Sequence, residues 1–396
     1  MEYTLEIDEL ICATLRGESR PWPAIGDDDF VASFLMRSKY HGVQPLLDQR
    51  LQTTQGAELG WPKAVVNKCR SATILQAMWE MRDRELLSQV LAQLSNSGVR
   101  PILFKGEALA YDVYSFPFLR TRGDSDFMIP FDDRDQVCTA LESLGYNCWF
   151  GVKGEFINNT AVYKRADPAT GSHELDVHWR ISNHYFLSKL FTYEELRSEA
   201  RSLPALGRDA LAAGPVHALL IACMHRAVKK QSPYFVNGKE YNSGARLIRL
   251  FDIHLLLGEL RPAQHDAFLR LAMEKGLEGV CLEAIGQARA AFHSSVPKAL
   301  CETRSGLRQT EVASRYLSGS VTYQYYLNFL AIEGIRNKAS FLGQLFFPPE
   351  KYMRAMYSEV QPDWLPWLYL RRAIIEIFKR LLRTLAARRP VGKHEK

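Results

Sequence analysis

Two aspartates, Asp124 and Asp126, stand one residue apart at the start of an apolar segment. On a β-strand alternate side chains share a face, so both carboxylates can reach one hard cation. A third carboxylate, Asp176, alternates with apolar residues further along the chain and shares its strand face with His178. Carboxylate oxygens are the ligands that Mg²⁺ prefers in proteins. The pattern predicts a metal site formed by Asp124, Asp126 and Asp176, although an Asp-x-Asp pair alone is also typical of a turn.

A lysine and a glycine, Lys105 and Gly106, follow the apolar run Pro101–Phe104 and begin a segment with helical spacing. The N-terminus of a helix attracts anions, and a glycine there lets a phosphate approach the backbone closely. The lysine adds a positive charge at the same place. This segment therefore predicts a phosphate-binding turn, with an ordinary lysine-containing turn as the alternative.

A phosphate-binding turn and a carboxylate metal site together suit phosphoryl or nucleotidyl transfer. Such enzymes must neutralise phosphate charge and hold the attacking and leaving oxygens in line. Without a cation, three carboxylates near one point repel one another. We therefore expect that replacing one of them, such as Asp126, with Asn leaves the metal-free protein at least as stable as before.

The hydrophobic pattern divides the chain into four regions. Short helical segments are predicted for residues 1–80, alternating strands and helices for 81–200, helices for 201–360, and a basic amphipathic helix for 361–396. The helices predicted after residue 80 are Met81–Ser95, Gly106–Val113, Asp132–Leu144, Pro215–Lys230, Ala245–Leu257 and Ala263–Lys275. The strands are Pro101–Phe104, Ser125–Pro130 and Glu174–Trp179. This order predicts an α+β fold, with a small mixed sheet and flanking helices embedded between helical N- and C-terminal regions.

The composition excludes several classes of protein. With 47% hydrophobic and 24% charged residues the chain is neither disordered nor fibrous, and no apolar run is long enough to be a transmembrane segment. The seven cysteines form no CxxC pair, which predicts reduced thiols in a cytoplasmic protein. The net charge of +6 resides in the last 31 residues, which hold nine basic and two acidic side chains. The rest is nearly neutral, which argues against a broad polyanion-binding surface.

The order of these motifs resembles the polymerase-beta-type nucleotidyltransferase superfamily, and more specifically a large bacterial family of uncharacterised nucleotidyltransferases. The likeness resides in Lys105-Gly106-x-Ala108-Leu109, in Arg120 before Gly123-Asp124-x-Asp126, in Asp176-x-His178-Trp179, and more weakly in His41-Gly42-Val43, His225, Asp252-Ile253 and Phe347-Pro348-Pro349. One departure is Glu107, because the superfamily usually has a small residue there. A carboxylate beside a triphosphate would repel it unless the side chain points away.

The resemblance implies a role for each candidate residue. The catalytic residues, which bind one or two Mg²⁺ ions, would be Asp124, Asp126 and Asp176. The nucleotide-binding residues would be Lys105, Gly106, Arg120 and Arg122. Candidates for contacts to the acceptor or to the metal ligands are His178, His225 and Asp252.

The implied activity is magnesium-dependent transfer of a nucleoside monophosphate from an NTP, with ATP the expected donor, to an unidentified acceptor with release of pyrophosphate. The acceptor would be a small molecule, a peptide or a protein hydroxyl, and bacterial peptide modification is one such context. A tRNA acceptor, as in toxin-like members of the superfamily, is an alternative that the near-neutral body disfavours. A non-catalytic nucleotide-binding or scaffold protein is a further alternative, which Glu107 favours.

The helical region after residue 201 allows two interpretations. Arg249 and Asp252 are three residues apart and would pair on a helix surface. Alternatively, this region covers the nucleotide and supplies Arg or His side chains to it, with Lys229–Gly244 as a lid. The basic C-terminal helix would pack on the body of the protein, bind an acidic partner, or lie on an anionic membrane surface.

Overall fold

The computed structural model describes residues 4–24, 27–54, 56, 58–151, 156–230, 234–236, 239–241, 245–296, 311–348, 350, 353–354, 364–372 and 374. Helices α1 (Thr4–Leu15), α2 (Asp28–His41), α3 (Gln44–Thr53) and α4 (Lys63–Asn96) precede the first strand. Asp27 caps α2 by accepting a hydrogen bond from the backbone N of Phe30, and Gly42 ends it in the left-handed conformation.

A mixed sheet forms the centre of the described part of the chain. Its strands are β1 (Ile102–Leu103), β2 (Ser125–Met128), β3 (Asn147–Gly151), β4 (Thr160–Asp167), β5 (Gly171–His178), β6 (Arg201–Ser202) and β7 (Leu211–Ala212). Their spatial order is β3-β4-β5-β2-β1-β7-β6. Strand β2 is parallel to β5 and β1 is parallel to β7, while the other neighbours are antiparallel. The prediction of an α+β fold with a mixed sheet is therefore confirmed.

Strand β2 separates two hydrophobic cores because alternate side chains face opposite sides of the sheet. Phe127 packs with Leu87 and Val90 of α4, whereas Met128 packs with the helical regions. Asp126 shares the face of Met128. Shorter elements surround the sheet: α5 (Lys105–Asp112), α6 (Arg134–Ser143), α7 (Tyr185–Ser188), α8 (Tyr193–Ser198) and 3₁₀ turns at Pro117–Leu119, Phe131–Asp133 and Pro204–Leu206.

The C-terminal region is helical and packs against the N-terminal helices. It contains α9 (Pro215–Lys230), the hairpin β8 (Tyr234–Val236) and β9 (Lys239–Tyr241), α10 (Leu247–Glu259), α11 (Pro262–Glu274), α12 (Glu278–Phe292), α13 (Val312–Ser318), α14 (Val321–Ala331) and α15 (Ile335–Phe346). One core contains Ile11 and Phe34 from the first helices together with Phe251 and Phe268 from α10 and α11. The two helical regions are thus parts of a single packed body.

The structure refines several predicted elements. The helix predicted from Met81 is the second half of α4, which continues across residue 80, where a region boundary was predicted. The hairpin of β3 and β4 was not predicted, because a bulge between Cys148 and Phe150 interrupts its register and β4 carries charged residues. Among the described residues, no helix is long and apolar enough to cross a membrane.

Only the beginning of the basic tail belongs to the described part of the chain. Residues 365–372 are helical, and the Tyr369 hydroxyl donates a 2.5 Å hydrogen bond to the carbonyl of Pro348. Arg372 donates to the carbonyl of Leu345 at 3.1 Å. The remaining tail residues, and much of the predicted lid segment, lie outside the described residues.

Candidate active site

The parallel pairing of β2 and β5 brings two of the predicted carboxylates together. Asp126 is directly opposite Asp176 in the register of the two strands. His178, two residues further along β5, approaches Asp126 Oδ1 with its Nε2 at 2.9 Å and Asp176 Oδ2 at 3.3 Å. Ligand atoms of these three side chains all lie within 4.8 Å of one another. His178, which the sequence suggested only for secondary contacts, thus belongs to the central cluster.

The residues of this cluster fit a divalent cation. Asp176 Oδ1 is buried and has no hydrogen-bond partner among the described residues. Asp124, just before β2, is solvent-exposed, and the neighbouring Asp126 carboxylate raises the pKa of Asp124 to about 6. A buried carboxylate oxygen without a donor is a group that a hard cation would satisfy. The side chains that could hold a metal ion together are Asp126, Asp176 and His178, and Asp124, which the sequence predicted as a ligand, is not one of this group.

Lys105 contacts the same cluster. Its Nζ donates a hydrogen bond to Asp126 Oδ1 at 2.5 Å and lies 3.3 Å from Nε2 of His178. Although burial opposes it, the positive charge of Lys105 and the hydrogen bond from His178 hold the pKa of Asp126 well below its usual range. The expectation that replacing Asp126 with Asn leaves the metal-free protein at least as stable stays a prediction, and this pairing argues against it, because the replacement removes the carboxylate that is hydrogen-bonded to Lys105. Asp124, whose pKa the Asp126 carboxylate raises, is the carboxylate that the repulsion destabilises.

The backbone at Lys105 is strained. This residue has φ of +60°, in the left-handed region that costs an L-residue about 1–2 kcal/mol. It begins α5, so the turn directs the ammonium toward Asp126 while the backbone enters the helix. The next residue, Gly106, leaves space for Arg120, because a Cβ at Gly106 would lie 3.1 Å from Nη1 of that guanidinium.

Arg120 is held in place by Asp252, a residue of the C-terminal helical region. Its guanidinium forms two hydrogen bonds with the carboxylate of Asp252, at 2.9 and 2.8 Å, and the Tyr114 hydroxyl donates to the same carboxylate at 2.8 Å. All three side chains are buried. Asp252 thus pairs with Arg120 from the core, and the interpretation of an exposed pair with Arg249 is wrong. The buried pair joins the turn after α5 to α10.

Glu107 points away from the phosphate-binding turn. Its side chain is fully buried and lies 2.5 Å from Nε of Arg122, with Asp83 a further 3.6 Å neighbour of that guanidinium. The Arg122 side chain is 1% exposed and lies 5.3 Å from the rings of Trp79 and Tyr111. The structure therefore does not place the Arg122 guanidinium where it would contact a nucleotide. The same pairing removes the objection that Glu107 would repel a triphosphate.

An open cavity of about 560 Å³ lies above these residues, and we call it the main cavity. Its acidic lining residues are Asp124, Asp126, Glu174 and Asp176. Its basic lining residues include Lys105, His225, Lys229, Arg246 and Arg249. The main cavity is therefore lined by both carboxylates and basic side chains, and Lys105 of the basic set is paired with Asp126.

The basic lining residues lie close enough to affect one another. Burial, and after it the positive charges of Lys105 and Arg249, lowers the pKa of Lys229 and holds the pKa of His225 well below its usual value, so His225 is neutral at physiological pH. Lys105 and Arg249 stay positively charged, and neighbouring cations favour a bound anion. The helical region thus supplies basic side chains to the cavity, as the second interpretation of the sequence suggested.

Arg246 is positioned by the end of α2. Its Nε donates to the carbonyl of Tyr40 at 2.7 Å, and its guanidinium occupies the space that a Cβ of Gly42 would need. His41 accepts a hydrogen bond from the backbone N of Leu247 at 3.1 Å, and its other ring nitrogen contacts Asp8 at 2.9 Å. The His41-Gly42 motif therefore fixes the start of α10. Sequence spacing gave no indication of this contact between distant segments.

The mixed sheet, the turn at Lys105 and the carboxylate pair on β2 and β5 define the nucleotidyltransferase class. A family model described as "Uncharacterised nucleotidyltransferase" matches residues 31–293, that is 263 of the 396 residues. The chain belongs to this family and is a transferase enzyme. The match ends before α13, so helices α13 to α15 lie outside it. No curated protein is significantly similar to the chain.

Replacing Lys105 with Ala or with Gly separates its charge from its backbone strain. Both variants lose the ammonium that we expect to bind phosphate, but only glycine adopts a φ of +60° without strain. We expect both to bind NTP more weakly than the wild type. Lys105→Gly should be more stable than Lys105→Ala by about 1 kcal/mol, measured by urea unfolding. Lys68→Ala, at an exposed position of α4, is the control. Full NTP affinity in both variants would contradict the assignment.

Asp124→Asn should stabilise the metal-free protein at pH 7.5. A folded-state pKa raised to about 6 means that the folded protein holds a proton more tightly than the unfolded chain. Wild-type stability is therefore lost as pH rises from about 4 to about 6, and the variant avoids this loss. In EDTA, the melting temperature of Asp124→Asn should exceed that of the wild type at pH 7.5 and equal it at pH 4. Asp266→Asn, at an exposed position of α11, controls for the loss of one negative charge. A lower melting temperature for Asp124→Asn than for the wild type at pH 7.5 would refute the repulsion between Asp124 and Asp126.

Gly42→Ala should weaken NTP binding through Arg246. The new Cβ would collide with the Arg246 guanidinium, and the φ of +70° adds a backbone cost of about 1–2 kcal/mol. Gly60→Ala is a matched control, because Gly60 has φ of +74° with nothing within 4 Å of the added Cβ. We expect both variants to lose stability in thermal unfolding. Only Gly42→Ala should lose NTP affinity in calorimetry, and equal affinities would exclude a role for this contact.

Proposed function

We propose that the protein is a magnesium-dependent nucleotidyltransferase that transfers a nucleoside monophosphate from an NTP to a hydroxyl group and releases pyrophosphate. The observation that carries this proposal is the main cavity, whose lining combines carboxylates with basic side chains. A metal–triphosphate complex has the complementary charges, because its cation suits the carboxylates and its phosphates suit the basic side chains.

The carboxylates and the basic side chains of the main cavity have different roles in the proposed reaction. Asp126 and Asp176 would hold Mg²⁺, with Asp124 as the third ligand that the sequence predicts, and the ion supplies charge neutralisation at the reacting phosphate. Basic side chains of α9 and α10 bind the triphosphate. The hydroxyl oxygen of the acceptor forms a bond to the α-phosphorus, and the bond from that phosphorus to the pyrophosphate oxygen breaks. The hydroxyl proton passes to the Asp176 carboxylate.

Lys105 has a second role in this scheme. Without metal it neutralises Asp126 at 2.5 Å. Asp126 would also hold the metal ion, whose charge would neutralise this carboxylate, and the Lys105 ammonium, which lines the main cavity, would then be free to bind phosphate oxygens. Arg120 supports this turn through Asp252 and is a positioning residue, since its guanidinium is held below Gly106.

The proposal also covers the nucleotide donor, the acceptor and the cellular location of the protein. The family resemblance supports ATP as donor, a bacterial source, and a small molecule, a peptide or a protein hydroxyl as acceptor, with peptide modification one context. A tRNA acceptor is less well supported, because outside its last 31 residues the chain is nearly neutral. The described cysteines are all free thiols, in keeping with the proposal of a reducing, cytoplasmic location. The basic tail would recruit an acidic partner or an anionic membrane surface.

Pyrophosphate release from each of the four NTPs tests this proposal. With Mg²⁺, the wild type should release pyrophosphate from at least one NTP, and EDTA should abolish the release. Asp176→Asn should reduce the rate about 100-fold or more, the usual effect of losing a positioned proton acceptor. Glu194→Gln, an exposed carboxylate of α8, is the control. If no NTP gives pyrophosphate or raises the melting temperature, the non-catalytic scaffold is the better description.

A further inference from the structure

A second cavity adjoins the main cavity, and we call it the passage. It measures about 210 Å³ and shares Lys105, Asp176, His225 and Lys229 with the main cavity. The remainder of its lining includes His178, Asn183, His184 and Val228. Asp176 therefore borders both spaces.

The passage adjoins a third cavity of about 350 Å³, which we call the aromatic cavity. The two share Asn183, His184 and Val228. The remaining lining comes from Phe156 and Ile157 and from helices α13, α14 and α15, including Leu317, Tyr325 and Phe341. A cavity of this size lined by aromatic and aliphatic side chains, with a few polar groups, is typical of a small-molecule site.

The aromatic cavity differs from the main cavity in charge. Its described lining contains no Asp, Glu, Lys or Arg, and its polar side chains are Asn183, His184, Gln324, Tyr325 and Asn328. Burial and the positive charge of Lys229 lower the pKa of His184, so this imidazole is neutral at physiological pH. Because no charged group there offsets the desolvation of an anion, a phosphate is disfavoured in this space. The triphosphate belongs in the main cavity, and an uncharged group belongs in the aromatic cavity.

A buried hydrogen-bond network defines the polar side of this cavity. The Tyr316 hydroxyl donates to Asn328 Oδ1 at 3.1 Å, and Asn328 Oδ1 also accepts from the backbone N of Phe186 at 2.9 Å. Since the hydroxyl proton is used there, Nδ1 of His184, 2.9 Å from the Tyr316 oxygen, must be the donor in that contact. A neutral imidazole protonated at Nδ1 keeps Nε2 as an acceptor. His184 lines both the passage and the aromatic cavity.

The aromatic cavity is lined from two parts of the chain. Phe156, Asn183, His184 and Val228 lie within the family match at residues 31–293, whereas Leu317, Tyr325 and Phe341 follow it. The main cavity is lined only by residues inside the match.

We propose that the aromatic cavity and the passage bind the acceptor, and that this acceptor is an uncharged small molecule with an aromatic or aliphatic body and a hydroxyl group on an arm that reaches Asp176. This inference rests on the proposed function. The body fills the aromatic cavity, where Nε2 of His184 can accept a hydrogen bond from any donor group that the body carries. The arm crosses the passage, and its hydroxyl oxygen forms the new bond to the α-phosphorus while pyrophosphate leaves and the proton passes to Asp176. Nucleotide and acceptor thus meet at Asp176, which lines both the main cavity and the passage.

The test uses 3-phenylpropan-1-ol as the probe and 4-(3-hydroxypropyl)benzoate, the same alcohol with a carboxylate on the ring, as the charged comparison. Binding to the full chain is measured by ligand-observed NMR. The uncharged alcohol should bind, and the benzoate should bind at least about tenfold more weakly, because its carboxylate would enter the aromatic cavity, whose described lining has no charged side chain to compensate it. Equal binding of the two compounds, or no binding of the alcohol, would overturn the assignment.

Two variants locate the probe. Val228→Phe narrows the junction of the two cavities, and Tyr325→Ala removes an aromatic wall. Each should weaken binding of the alcohol about tenfold. Tyr326→Ala is the matched control, since Tyr326 is the next residue on α14 and is 56% exposed. Unchanged binding in both cavity variants would place the probe elsewhere and refute the proposal.

A kinetic measurement separates this inference from the proposed function. The alcohol should change the rate of pyrophosphate release by the wild type and leave that of Val228→Phe unchanged, while NTP affinity stays the same in both. If NTP is turned over but the alcohol has no effect, the acceptor assignment fails and the nucleotidyltransferase proposal stands. If the wild type turns over no NTP, the proposed function fails. The aromatic cavity then has no role as an acceptor site, even if it still binds the alcohol.

Discussion

The contact on which the rest of the site depends is the ion pair between Lys105 and Asp126. Parallel pairing of β2 with β5 places Asp126 and Asp176 side by side on a buried sheet face, and such carboxylates need a counter-charge. Lys105 supplies it at 2.5 Å from a left-handed backbone position. Helix α5 begins at Lys105, and the next residue, Gly106, has no Cβ, which leaves space for the guanidinium of Arg120. The strained backbone of Lys105 is therefore linked to the positions of Asp126 and Arg120.

Two further contacts connect the sheet to the helical regions. The buried pair of Arg120 with Asp252 joins the turn before β2 to α10, and Arg246 at the start of α10 fits against Gly42 at the end of α2. The N-terminal helices, the sheet and the C-terminal helices therefore meet around one cavity. Each connection is buried or made through a glycine without room for a Cβ, so small changes at these positions are expected to move the basic side chains that face the nucleotide.

The cavities differ by charge in a way that suits a two-substrate reaction. The main cavity is lined by carboxylates and basic side chains, whereas the described lining of the aromatic cavity has no charged residue. Asp176 lies where the main cavity adjoins the passage. Charged and uncharged ligands are thereby directed to different spaces by desolvation alone. Glu107, which at the sequence level favoured a non-catalytic protein, instead forms a buried ion pair with Arg122.

The sequence by itself determined the fold class, the family and the residue types of the site. Alternation on two strands was sufficient to place Asp126 and Asp176 on faces that could meet, because a strand has a fixed period of two. It did not determine which charges pair. Arg120 and Asp252 are 132 residues apart, and Arg122 turns to Glu107 although only one residue separates it from Arg120. Helical spacing reports only neighbours along one helix, which is why it suggested Arg249 for Asp252. Partners between distant segments, and the cavities among them, exist only once the cores have packed, so the tertiary structure alone decided them.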